Sequence, residues 1–137
     1  MLGIGISTGL GFNVGWPRPP LGPIDLIENG TFDTDTWWTK QASWTITGGK
    51  AVSDGSSGTL STPFLFELVE GADYLVTLDV ERSGGGFQLN LGGTTATTIN
   101  TSGAKSVTLA MGTSHTKLII SGFAFNGTLD NITLTRV

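Results

Sequence analysis

The sequence predicts an all-β, antiparallel sandwich behind an extended N-terminal arm. Three observations predict it. Apolar residues recur at every second position over most of the chain, as in a sheet with one face buried. Glycine-rich signals break these runs into short strands. Four of the five prolines fall between Gly15 and Pro23, ahead of the alternating region. No ten-residue window combines helical spacing with caps.

The 137 residues suit one domain. Charged residues make up 13% of the chain, while four Trp and seven Phe supply bulk, the opposite of a disordered composition. The 21 Gly suit tight turns, and the abundant Thr suits a half-buried sheet surface.

Taken in order, residues 1–23 form the arm and residues 24–137 the sandwich. Within the arm, Leu2, Ile4, Ile6, Leu10 and Phe12 alternate with Gly3, Gly5, Gly9 and Gly11. That pattern fits a flat strand with too little packing to stand alone. The Gly15–Pro23 stretch that follows reads as extended or polyproline-like spacer. These apolar residues, with Trp16 as an anchor, are expected to dock on a neighbouring chain; the other reading is a tail folded back on its own domain.

Downstream, Trp44 and Ile46 alternate with Thr45 and Thr47, and Phe64–Val69 is an apolar run read as a strand. Tyr74, Val76, Leu78 and Val80 share one face of a strand, as do Phe87, Leu89 and Leu91, and then Val107, Leu109 and Met111. The expected turns are Gly48-Gly49, Asp54-Gly55, Gly84-Gly85-Gly86, Gly92-Gly93, Ser102-Gly103 and Asn126-Gly127.

Several function classes are disfavoured. The seven basic residues are scattered in a chain of net charge −4, unlike the clusters that bind phosphate, so no nucleic-acid partner is expected. Without cysteine there is no disulfide and no thiolate metal site. The N-terminal segment lacks a basic start and is broken by glycine, so it reads as neither a signal peptide nor a membrane span. Four Asn-x-Ser/Thr sequons (Asn29, Asn100, Asn126, Asn131) are expected by chance in so Thr-rich a chain. The single histidine, His115, has no nucleophile-elbow pattern to serve and cannot alone hold zinc. Asp33 with Asp35, and Asp79 with Glu81, could pair as glycosidase carboxylates, but at i, i+2 they read more simply as a solvated face. The expectation is a protein that is not an enzyme.

Three blocks carry a resemblance: Leu26-Ile-Glu-Asn-Gly-Thr-Phe-Asp33 followed by Trp37 and Trp44, Leu68-Val-Glu-Gly-Ala-Asp-Tyr74 running into a strand, and Gly127-Thr-Leu-Asp-Asn-Ile-Thr-Leu134. In order and spacing they resemble the jelly-roll modules grouped with the carbohydrate-binding modules of glycoside hydrolases. The resemblance implies a jelly-roll sandwich and a structural calcium held by Asp33 and Asp130, with carbonyls of the Gly48–Lys50 turn. Strand parity puts Asp130 on the face of Ile132 and Leu134, where a carboxylate needs a partner; local backbone amides would serve as well as a metal. The family places core aromatics at Trp37 and Trp44. Because Trp37 and Trp38 are adjacent, one of them should face outward, as a glycan platform or an interface anchor. The Gly-hydrophobic opening is similar to those of short structural proteins of tailed bacteriophages. That likeness implies a virion protein: a capsid decoration (cement) or head-fibre protein, homo-oligomeric and by analogy trimeric, with the major capsid protein or other virion proteins as partners. The alternative it leaves is a glycan-recognising module or tail-fibre component.

Overall fold

The computed structural model describes residues 24–137, so the arm residues Leu2, Ile4, Ile6, Leu10, Phe12 and Trp16 lie outside the described residues. Among the described residues there are eight strands and no helix. They are β1 (Thr39–Lys40), β2 (Trp44–Thr47), β3 (Lys50–Asp54), β4 (Gly58–Ser61), β5 (Asp73–Leu91), β6 (Thr94–Thr95), β7 (Gly103–Ala110) and β8 (Leu118–Arg136). Every pairing is antiparallel.

The organising unit is the ribbon of β5 and β8. Each has 19 residues, and they pair from Tyr74↔Arg136 to Leu91↔Leu118. The ribbon doubles back at residues 83–86 and 123–126, where the register shifts and where Gly85 and Ala124 take φ of 62° and 52°. Two bonds prove the doubling. Met111 N–H donates to Ala72 O beside the start of β5, and the next residue, Gly112, donates to Leu91 O at its end. Both ends of β5 therefore lie at one end of the molecule, here called the base; the bends form the opposite end.

The remaining strands edge this ribbon. β7 pairs with the first half of β5 and β6 with the second. On the other side β4 pairs with residues 119–122 of β8 and β3 with residues 126–129. β2 lies outside β3, and β1 outside β4. The result is a single eight-stranded sheet folded nearly closed, where two separately bonded sheets were expected.

The alternation read in the sequence builds the core. Val76, Leu78, Val80, Phe87, Leu89 and Leu91 of β5 are buried, facing Ile120, Phe125, Leu129, Ile132 and Leu134 of β8. The Phe125 ring packs 5.0 Å from Phe87 and 5.9 Å from Trp44, centroid to centroid. Each such side chain contributes roughly 1.5–3 kcal/mol by leaving water.

Two expectations about strands fail for identifiable reasons. Gly84–Gly86 and Asn126-Gly127 do not end strands; they lie inside β5 and β8. Glycine permits a bend as readily as a turn, and the ladder between the two strands carries the chain through. Phe64–Val69 is not a strand. Leu68 N–H donates to Leu65 O at 3.1 Å, a turn that buries Leu65 and Leu68 and leaves Phe64, Phe66 and Val69 exposed. A run of apolar residues three apart in burial cannot be told from a strand by hydropathy alone.

Candidate functional site

The three motif blocks turn out to be ties within the fold. Asn29 donates both amide protons, to Thr34 O at 2.8 Å and Thr36 O at 2.9 Å, and its own carbonyl accepts from the Trp38 indole at 2.9 Å. Gly30 runs so close to β8 that a Cβ there would stand 2.0 Å from Ile132 O. Phe32 is buried at φ 54°, its ring 5.4 Å from Trp38. In the second block Gly71 turns the chain at φ 80°, and the buried Tyr74 hydroxyl accepts from Val69 N–H at 2.9 Å. In the third, Asn131 sits at φ 50° in a bulge between Thr77↔Thr133 and Asp79↔Asp130.

That bulge corrects the placement of Asp130. One extra residue between Leu129 and Ile132 lets both of those be buried while Asp130 turns outward, so the predicted core position of its carboxylate does not arise. The outward Asp130 instead lines an open cleft of about 500 Å³ with Lys50, Asp79, Glu81, Ser102 and Asn131. Asn131 Nδ2 donates to Asp79 Oδ2 at 2.8 Å, Lys50 Nζ lies 3.8 Å from Glu81 Oε1, and Asp130 Oδ1 accepts from the Asn131 amide at 2.8 Å. Such exposed pairs contribute at most about 1 kcal/mol each.

Asp33 is elsewhere, on the exposed surface, accepting from the Thr31 hydroxyl at 2.9 Å. Among the described residues no group of three or more His, Asp or Glu side chains is placed to hold a metal ion. Ser102 Oγ accepts from the Arg82 amide rather than facing a base. His115 is half-buried, and its Nδ1 accepts from the Lys117 amide at 3.2 Å within its own turn.

The tryptophans also change roles. Trp44 is buried as expected, but its core companion is Trp38. Trp37 lies outside the strands at φ 76°, half-buried and edge-on to Trp38 at 5.2 Å. The cleft has no aromatic in its lining, so it offers a sugar no stacking platform.

The aromatics that do face solvent are Phe64 and Phe66, 57% and 87% exposed, with rings stacked 6.5 Å apart and Lys117 Nζ 4.5 Å over Phe64. They stand at the base. So does the root of the arm: Leu26 N–H donates to Leu134 O, and Asp25 Oδ1 accepts from the amides of Ile27 and Leu134 at 3.0 and 2.9 Å. Val137, Val69 and Ile24, all exposed, lie at the same end. Sequence reasoning missed this cluster because it assigned Phe64 and Phe66 to a strand.

No family model and no curated protein matches the chain. Among solved structures it is similar to the enzymatically active domain of tailspike protein 4 of bacteriophage CBA120, with a TM-score of 0.54 and 10% identity over 83% of this chain. The match covers 22% of that chain, about a fifth of its length. At that identity the likeness is one of fold.

Proposed function

We propose that the chain is a non-enzymatic structural module of a tailed-bacteriophage virion, a jelly-roll-like unit attached by its base through residues 1–23. One observation carries the reading: the arm root and the exposed Phe64, Phe66, Val69 and Val137 gather at one end, while the opposite end carries the ribbon bends. An apolar end with a tethered apolar segment is the anatomy of an attachment surface. Its mechanism is burial of arm and base across a subunit boundary, made tenacious by joining two weak contacts through one chain. A nearly closed, densely paired sheet would resist unfolding under load. The phage assignment draws support from the shared fold with a tailspike domain.

Within the virion, decoration of the capsid beside the major capsid protein is the first placement. The tailspike likeness favours a second, a tail or fibre component that meets host glycans. The test is mass spectrometry and immunogold labelling of purified particles, made with the full chain and with residues 1–23 deleted. The full chain should be found on particles at fixed stoichiometry, on heads under the first placement and on tails under the second. Its absence from particles would end the reading, and equal incorporation without the arm would remove the arm's role.

A further inference from the structure

β7 is the longest strand bonded on one side only among the described residues. Its register settles which backbone groups are left over. Met111 N–H donates to Ala72 O, so Leu109, Val107, Lys105 and Gly103 are the residues that bond across to β5 in the alternating antiparallel pattern. The N–H and C=O groups of Ala104, Ser106 and Thr108 point the other way. At the base, Gly112 and Ser114 cross to Leu91 and Gly92 and close the seam beside β7. Above that crossing no strand pairing joins β7 to another described strand on this side, and half-buried Ala96, Ile99 and Val107 lie along the seam, packed against the core yet partly in water. An edge of this kind is a template for one more strand.

The sequence supplies a strand with the matching defect. In residues 2–12 the even positions are Leu, Ile, Ile, Thr, Leu and Phe, and the odd ones are Gly or Ser throughout. Laid beside β7, such a segment would put its large side chains over Ala96, Ile99 and Val107, and its Gly and Ser beside the small outward residues Ala104, Ser106 and Thr108. Among the described residues β7 has no strand on that side.

We propose that β7 is the acceptor edge for residues 2–12 of a second copy of this chain. The spacer argues for a second copy. The arm root lies beside β8, and β7 is two strands away, about 10 Å at the usual strand spacing. Residues 15–23 carry four prolines, and a spacer of that length in the extended polyproline geometry their sequence favours would span about 28 Å, well beyond the chain's own edge. Lys105, whose Nζ bonds Thr101 Oγ1 at 2.6 Å, puts one charge on the edge and discriminates against indiscriminate pairing. The inference rests on residues 1–23 being a docking arm, but not on where in a virion the chain sits.

The test uses the full chain in solution. Light scattering should find a dimer or larger oligomer, and Thr108→Pro, which removes an outward N–H while leaving the β5 ladder intact, should weaken self-association at least tenfold at unchanged circular dichroism. If that variant misfolds, Ile4→Asp with Ile6→Asp probes the same contact from the arm. The chain has no cysteine, so a Ser7→Cys chain mixed with Ser106→Cys or Thr108→Cys chains should give intermolecular disulfides. A monomeric full chain, an oligomer indifferent to both sets of substitutions, or a disulfide that forms only within one doubly substituted chain would overturn the proposal. Incorporation into particles by a chain that is monomeric in solution would sink this inference alone; a β7-dependent oligomer absent from particles would sink only the virion reading.

Discussion

Gly85 and Gly48 share a φ of 62°, yet replacing each by alanine should have very different consequences. Both substitutions force a Cβ into the left-handed region, at about 1 kcal/mol. At Gly48, in the tight turn between β2 and β3, nothing lies within 4 Å of the new atom. At Gly85, in the bend of the β5–β8 ribbon, it would stand 2.0 Å from Ala124 O and 2.6 Å from Phe123 O. Those are backbone atoms of the paired strand, so relief requires the ribbon itself to shift, adding about 1–3 kcal/mol. Gly85→Ala should therefore cost about 2–4 kcal/mol against about 1 for Gly48→Ala. At roughly 4 °C per kcal/mol for a domain of this size, the melting points should fall by roughly 8–16 °C and 4 °C. Tryptophan fluorescence during urea and thermal unfolding reads both. Equal losses within about 0.5 kcal/mol would refute the tight doubling of the ribbon.

Phe125→Ala should cost about 3–5 kcal/mol in the same unfolding assay, because its ring joins Phe87 to Trp44 with no solvent access. Tyr74→Phe removes the acceptor of the Val69 amide and should cost about 1 kcal/mol, with faster hydrogen exchange at Val69 as the local sign. Asp54 accepts from the Ser56 hydroxyl at 2.6 Å and the Ser56 amide at 2.9 Å, the hydroxyl having the larger effect, and its carboxyl is held below the ordinary range. Because the folded value is depressed, that contribution to stability is present above the ordinary carboxylate range and is lost as pH falls through the folded value. Ser56→Ala should raise the Asp54 titration midpoint seen by carbon-13 NMR, and an unmoved midpoint would refute the assignment.

The strands with strict alternation were legible because period two and burial coincide in them: Trp44 and Ile46, Tyr74 to Val80, Phe87 to Leu91. What escaped reading was phase. A single bulged residue at Asn131 inverts which face Asp130 takes, and nothing local in Asp-Asn-Ile announces it. The same limit hid the continuity of β5 through Gly84–Gly86, since three glycines satisfy a turn and a bend equally. Of the proposed contact, only the Gly alternation of residues 2–12 was visible. The acceptor edge was not, because which side of β7 is unbonded depends on strand order, a property of the whole chain.

The strand that unites the sheet is also the last of the eight in chain order. β8 bonds to β3, β4 and β5, and its partners in β5 lie as far back as Tyr74 opposite Arg136. A nascent chain in which β8 is not yet made has hairpins without a spine, its apolar faces bare. Folding must then proceed through contacts distant in sequence, which is slow. A truncation that removes only the tail end should be as damaging to yield as a break in the centre.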